Sequence, residues 1–247
     1  MTEISSSGGA DCSAGADFRT THWSMVMAAG QSESPEATAA MEELCRRYWS
    51  PLYAYARRRG QNVHDAQDLT QEFFARLLQH NTFAHLNREK GRFRSYLLSA
   101  FQYFMSGEWD RARAQKRGGG QPLMSLDADQ AETRYALEQA TESSPERAFD
   151  QRWALTLLEQ GLVCLREEFE AAGKGEHFEA LKVFLSREAA SEEYQAVALR
   201  LSTTPSAVAV AVHRLRRHYG ELVRNRVAET VATPADLEEE LRYLFAQ

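Results

Sequence analysis

The side chains best suited to a binding function form two clusters rich in arginine and lysine. The first cluster runs through residues 88–117, interleaved with aromatic residues, and the second lies at 213–217. Guanidinium groups bind phosphates and aromatic rings stack on unpaired bases, so this composition is typical of nucleic-acid binding. No Walker loop, H-E-x-x-H or nucleophile elbow accompanies the clusters. The sequence therefore predicts a binding protein with no catalytic residue and no cofactor, not an enzyme.

The first cluster contains both cations for a nucleic-acid backbone and rings for its bases. The candidate cations are Arg92, Arg94, Arg111, Arg113, Lys116 and Arg117. The candidate rings for base contact are Tyr96, Tyr103 and Trp109. The neighbouring aromatic and aliphatic residues recur at helical spacing, which favours a role in the core. These core candidates are Phe93, Leu97, Phe101 and Phe104.

The second cluster lies in a segment, 191–219, that has the pattern of a helix-turn-helix. Ser191 can cap one helix, Ser202-Thr203-Thr204 forms a turn, and Pro205 begins a second helix. A helix of this kind can enter the major groove, with its arginines at phosphates. Its predicted outer face carries Ser206, His213, Arg214, Arg216 and Arg217. The alternative is an ordinary helical hairpin with a basic outer face.

A row of carboxylates precedes the first cluster, in the segment DAQDLTQEFFARLL at 65–78. Asp65, Asp68 and Glu72 fall on one helix face, with Gln71 beside them. No metal motif or glycine-rich loop accompanies them, so acid–base chemistry is not predicted. Two interpretations stay open, namely a protein-docking face and a solvated face.

The cysteine and histidine residues predict neither a disulfide framework nor a metal site. Cys12, Cys45 and Cys164 are odd in number and far apart, and His213 and His218 are five apart. Residues 1–17 have no basic start or apolar core, so they predict a disordered tail and no signal peptide. With no run of about 18 apolar residues, we expect a cytoplasmic protein without a membrane span.

Charge is distributed unevenly along the chain. The 247 residues have a net charge of −6, which argues against nucleic acid, but residues 44–120 carry +8 and residues 177–228 carry +3. Acidic stretches separate these blocks, including 121–176 with −7. Two basic blocks are typical of a protein that binds one polyanion at two places, although chance clustering on solvated helix faces gives the same pattern.

Helical periodicity dominates and predicts an all-α protein. Five of the six prolines follow Ser or Thr, a pattern typical of helix starts. The Ser50-Pro51 pair falls inside an amphipathic stretch and is compatible with a kink as well. Gly118–Gly120 ends the preceding predicted helix and begins a flexible acidic linker at 118–150. The predicted domains are therefore an N-terminal helical domain at 18–117 and a C-terminal helix-turn-helix domain at 151–247 with a terminal acidic helix.

The order of these motifs resembles a known family. A helical domain with D-A-x-D-L-x-Q-E-x-F, then G-x-F-R-x-Y-L before a basic aromatic helix, precedes a linker and a helix-turn-helix. This order is similar to RNA polymerase sigma factors of the extracytoplasmic-function (ECF) class of the sigma-70 family. The resemblance covers about residues 20–231. It implies a promoter-specificity subunit whose partners are core RNA polymerase and promoter DNA.

The resemblance also implies roles for individual residues. Asp65, Asp68, Gln71 and Glu72 would dock on the polymerase, and the cluster at 92–117 would recognise and melt the −10 element. The helix at 205–219 would read the −35 element. The residues implied there are Ser206, Ala207, Val210, His213, Arg214, Arg216 and Arg217.

Other interpretations remain open at this point. A stand-alone helix-turn-helix repressor or activator would bind duplex DNA but leave the carboxylate face unexplained. A helical adaptor would leave the basic clusters unexplained. The acidic helix after Thr233 caps its domain or binds a regulator such as an anti-sigma factor, and we expect capping.

Overall fold

The computed structural model of the protein is all-helical, which confirms the predicted fold class. It describes residues 35–79, 92–114, 132, 135, 144–187 and 190–245. Across these ranges there are eight α-helices and no strand. The helices are α1 (Pro35–Arg58), α2 (Val63–Gln79), α3 (Phe93–Ala114), α4 (Pro145–Ala171), α5 (Gly175–Leu181), α6 (Ser191–Arg200), α7 (Pro205–Ala228) and α8 (Pro234–Phe245). A 3₁₀ turn, Lys182–Phe184, follows α5.

Prolines mark helix starts, as the sequence predicts. Helices α1, α4, α7 and α8 all begin at a proline. The Thr204 hydroxyl accepts a hydrogen bond from the Ala207 amide at 3.2 Å, and the Ser144 hydroxyl caps α4 in the same way. Proline has no amide hydrogen to lose at this position, so the pair fixes the start of a helix at little cost. The exception is Pro51, which lies inside α1.

The chain forms two compact units that differ from the predicted domains. One, called here the continuous unit, has its described residues within 159–225. The other, called the split unit, combines residues 18–158 with residues 226–247. Helix α8 therefore groups with the N-terminal helices, whereas the sequence placed it in the helix-turn-helix domain. The first turns of α4, predicted to be part of a linker up to residue 150, also belong to the split unit.

The core of the split unit is aromatic. The ring of Tyr48 in α1 stacks on Trp153 in α4 at a centroid distance of 4.5 Å and meets Phe93 in α3 edge-on at 5.4 Å. The predicted core residues of α3 are all buried, from Phe93 to Phe104. Val231 and Leu237 complete the same core. Residues that come before and after the continuous unit in the sequence are thus needed to exclude water from one core.

Part of the predicted linker is docked on α1. Glu132 forms a bidentate ion pair with Arg57, with N–O distances of 2.8 and 3.0 Å, and accepts a hydrogen bond from the Tyr53 hydroxyl. Hydrogen bonding to Arg57 lowers the pKa of Glu132. The Arg57 guanidinium also lies 4.9 Å from the centroid of the Tyr135 ring. Glu132 and Tyr135, both within the predicted linker, thus contact α1 in the split unit.

A buried ion cluster joins three distant segments of the split unit. Arg94 is only 5% exposed, and its guanidinium donates hydrogen bonds to Asp150 in α4 and to Glu240 in α8. The hydroxyl of Tyr243 donates to Asp150 at 2.6 Å, and the Tyr243 ring lies against Arg94. Glu240 is fully buried. A buried charge is tolerated only when it is paired and hydrogen-bonded, so this cluster fixes α8 on α3 and α4.

The continuous unit has its own apolar core. Phe178 in α5, Phe184 in the 3₁₀ turn and Val212 in α7 are buried in it. Gly161 allows α4 to approach α7 closely, because a Cβ atom there would lie 2.9 Å from Cγ2 of Val223.

In the part of the chain that the structure describes, no helix is both long and apolar enough to cross a membrane.

We expect Glu240→Gln to lower the free energy of unfolding by about 3 kcal/mol, because Arg94 would lose its buried counter-charge. The matched control is Glu239→Gln on the same helix. Its carboxylate is 65% exposed, so we expect a loss of less than about 1 kcal/mol. Urea unfolding followed by tryptophan fluorescence measures both values. Equal losses for the two variants would contradict a clamping role for Glu240.

Candidate nucleic-acid and polymerase-binding surfaces

The carboxylate face of α2 is accessible. Asp65, Asp68 and Glu72 are exposed and Gln71 is partly exposed. The buried apolar residues of α2 are Ala66, Phe73, Phe74 and Leu77. The side-chain oxygen Oδ1 of Asn62 accepts a hydrogen bond from the Asp65 amide at 2.9 Å, which caps the start of the helix. Glu72 pairs with Arg76 one turn later at 2.6 Å. The four predicted docking residues thus share one solvent-facing side of one helix.

The outer face of α3 presents one large exposed ring. Tyr103 is 83% exposed, opposite the buried stripe of Phe101 and Phe104. Ser99 and Ser106 lie on the same outer side and are exposed. Tyr96 is different, because its ring packs beside Phe93 and burial raises the pKa of its hydroxyl. Of the two tyrosines predicted for base contact, Tyr103 is therefore the more exposed.

A polar pocket beside α3 was missed by sequence reasoning. It lies within the split unit and is lined by Tyr55, Arg59, Gln102, Met105, Ser106 and Glu146. Tyr55 lies in α1, Arg59 directly follows α1, and Glu146 lies in α4, so no local sequence pattern could have grouped them with α3. The side chain of Gln102 hydrogen-bonds the Tyr55 hydroxyl at its wall.

The two described basic residues of the predicted −10 set, Arg92 and Arg94, are both paired with carboxylates. Arg94 is enclosed in the buried cluster. Arg92 is 23% exposed and pairs with Glu239 and Glu240 of α8, each at 2.9 Å. The side chains of Trp109, Arg111 and Arg113 and the whole of Lys116 and Arg117 lie outside the described residues. Arginine spacing alone could not reveal that carboxylates from α8 meet Arg92 and Arg94.

The helix-turn-helix segment contains two helices with a tight turn. Helix α6 ends at Arg200 and α7 begins at Pro205, and Ser202 adopts a positive φ of 51° between them. The Thr203 amide donates to the Ala198 carbonyl at 2.9 Å and closes the turn. Ala198 is buried against the core, which lets the two helices approach closely.

Most of the predicted −35 residues lie on the exposed side of α7. The inner side is formed by Val208, Val212 and Leu215, all of which are buried. The exposed members of the predicted set are Ser206, Ala207, Val210, His213, Arg214 and Arg217. Arg214 and Arg217 are cations on this surface, and Arg217 pairs with Glu221 at 2.9 Å. This side of α7 is suited to a polyanion.

Arg216 has a different position from its neighbours. Its Nε donates to the carbonyl of Phe184 at 2.8 Å and its Nη2 donates to the carbonyl of Arg187 at 2.6 Å. Arg187 in turn pairs with Glu193 at 2.5 Å, and Glu193 accepts from the Ala190 amide at the start of α6. The Arg187 pair and the Ala190 amide lower the pKa of Glu193 to about 2. Arg216 therefore ties α7 to the segment before α6.

The two histidines of α7 have different surroundings. In the described part of the chain, no group of three or more His, Cys, Asp or Glu residues could hold an ion. His218 is hydrogen-bonded to Glu168 of α4, a pairing that the sequence pattern did not predict. His213 is exposed on the outer side of α7.

Residues 44–102 match the family model of sigma-70 region 2. The match spans α2, which carries the carboxylate face, and the first half of α3 up to Gln102. It covers under a quarter of the 247 residues and supports a sigma-70 family RNA polymerase sigma factor. No curated protein and no solved structure matches the chain.

The region 2 match supports a sigma-factor role in promoter recognition and polymerase binding. Its implied partners are core RNA polymerase and promoter DNA. Sigma-70 factors are promoter-specificity subunits without an enzymatic activity of their own, so the match supports the prediction that the protein is not an enzyme.

We expect Arg216→Ala to destabilise the continuous unit by about 1–3 kcal/mol, because two carbonyl groups would lose a charged donor. The control is Arg217→Ala, on the exposed side of the same helix, with an expected change within about 0.5 kcal/mol. Thermal unfolding by circular dichroism at 222 nm compares the two. A larger loss for Arg217→Ala than for Arg216→Ala would contradict the structural role of Arg216.

Proposed function

We propose that the protein is an ECF-class sigma subunit that binds core RNA polymerase and directs initiation at promoters with −10 and −35 elements. The observation that carries this proposal is the combination of a sigma-70 region 2 at 44–102 with a separate helix-turn-helix segment at 191–228. A stand-alone repressor needs only the second of these. A protein acting on the bacterial chromosome with polymerase would function in the cytoplasm.

The proposed polymerase-docking surface is the face formed by Asp65, Asp68, Gln71 and Glu72. Its support is geometric, because all four side chains lie on the exposed side of α2 while the opposite side anchors the helix in the core. An acidic helical face fits a basic groove or helical partner. Because the buried side of α2 holds the helix in place, charge substitutions on the exposed face should leave the fold intact.

The proposed −10 surface is the outer side of α3. Tyr103 would stack on an unpaired base of the opened strand. An exposed aromatic ring can stack on any of the four bases. The neighbouring polar pocket, with Arg59 and Gln102 in its wall, is a candidate site for an extruded base. We include Trp109, Arg111, Arg113, Lys116 and Arg117 as candidate strand contacts. Arg94 is left out because it is enclosed by carboxylates.

The proposed −35 surface is the exposed side of α7. Ser206, Ala207 and Val210 lie near its start, where a recognition helix meets base edges. Arg214 and Arg217 would contact phosphates. His213 lies on the same exposed side. Arg216 would act indirectly, by holding α7 in place.

The experiment that tests the proposal is in-vitro transcription with core RNA polymerase from the source organism on a library of genomic promoters. A sigma subunit yields specific transcripts that core polymerase alone does not make. A stand-alone DNA-binding protein yields none, and that result would overturn the proposal.

The variant Asp68→Lys/Glu72→Lys should lose both these transcripts and co-purification with core polymerase, because it reverses the docking charge. Its circular dichroism should match that of the native protein, since both residues are exposed. A matched control is Glu176→Lys/Glu192→Lys, which makes the same charge change at exposed positions of the continuous unit. Retained co-purification of the Asp68/Glu72 variant would exclude the α2 face as the docking site.

Replacement of Tyr103 tests strand capture. We expect Tyr103→Ala to reduce the permanganate reactivity of open complexes by about 5- to 100-fold, in line with about 1–3 kcal/mol per stacked base. Tyr103→Phe keeps the ring and should retain most of the reactivity. Equal losses for both variants would show that the hydroxyl, and not stacking, matters.

A further inference from the structure

The ion pair between Arg92 and Glu239 differs in accessibility from the buried cluster next to it. Glu240 is fully buried and holds Arg94, which is itself buried. The Glu239 carboxylate, in contrast, is 65% exposed, and Arg92 retains 23% exposure. The two layers of the contact between α3 and α8 therefore have different roles. The inner layer fixes the helix, and the outer layer can exchange with solvent.

The Arg92–Glu239 contact has the geometry of an arginine–phosphate contact. Nη2 of Arg92 lies 2.9 Å from an oxygen of Glu239, and its Nε lies 2.9 Å from Glu240. Planar guanidinium groups bind carboxylate and phosphate in the same way. An exposed pair of this kind contributes little stability, so an incoming phosphate can replace Glu239 at low cost. Arg92 keeps Glu240 as a partner and stays in position.

We propose that Glu239 occupies Arg92 as an internal substitute for a nucleic-acid phosphate, so that α8 lowers the affinity of the free protein for single-stranded DNA. The exchange needs no movement of α8, because Leu237 and Glu240 keep the inner layer closed. Arg92 immediately precedes α3, so a phosphate bound to it would lie along the helix that carries Tyr103. This proposal rests on the proposed function of α3.

A mutant cycle on the full-length protein tests the substitution. The probe is a fluorescein-labelled oligothymidylate of about 20 nucleotides at low salt, and fluorescence anisotropy gives Kd. We expect Glu239→Gln to tighten binding about 2- to 5-fold, the range that corresponds to release of one exposed ion pair. The same substitution in an Arg92→Ala background should give no gain, because Arg92 would no longer be there to bind phosphate.

The control for overall charge is Glu42→Gln, at an exposed position of α1 in the same unit. It should change Kd by less than the Glu239 variant and equally in both backgrounds. A gain for Glu239→Gln that persists without Arg92, or that Glu42→Gln reproduces, would overturn the proposal. Circular dichroism and urea unfolding establish that the variants are folded.

The outcomes for this proposal and for the proposed function are separable. Transcription by the native protein with no coupling between residues 92 and 239 would overturn only the role of Glu239. No transcription and no binding of the oligonucleotide would overturn both. Coupling without transcription would support the role of Glu239 while rejecting the sigma-subunit function.

Discussion

The enclosure of Arg94 determines how the split unit is assembled. A guanidinium at this depth needs carboxylates that water cannot replace, and none lies within α3 at suitable positions. Asp150 and Glu240 supply them from 56 and 146 residues away. Because both must be present at once, the start of α4 and the whole of α8 are held against α3. The aromatic core around Trp153 and the outer contact at Arg92 belong to the same unit.

Carboxylates from the acidic stretches also neutralise arginines of the basic block. Glu132 pairs with Arg57, and Glu229 pairs with Arg47 at an N–O distance of 3.0 Å. Part of the +8 charge of residues 44–120 is thus neutralised among the described residues. The net charge of the chain therefore does not describe the charge of its surface.

The parts of the structure that depend on local patterns could be predicted from the sequence. Proline after Ser or Thr marked the starts of α4, α7 and α8 correctly, and helical spacing identified the buried stripe of α3. The roles of Arg94 and Arg216 could not be predicted in this way. Both arginines sit in basic clusters that resemble binding surfaces, and only long-range contacts distinguish them from exposed neighbours such as Arg217. Periodicity says which side of a helix is buried but not which charged group is enclosed by a distant segment.

The division of the split unit has a consequence for synthesis on the ribosome. Helices α1 to α3 emerge first, yet their charge and core are completed only by residues 226–245, after the whole continuous unit has been made. Contacts of such long sequence separation form late and leave apolar surface exposed in the meantime. A nascent chain therefore lacks part of this core until residues 226–245 have been made. Any product that stops before Glu240 would expose the incomplete core and be a substrate for proteases and chaperones.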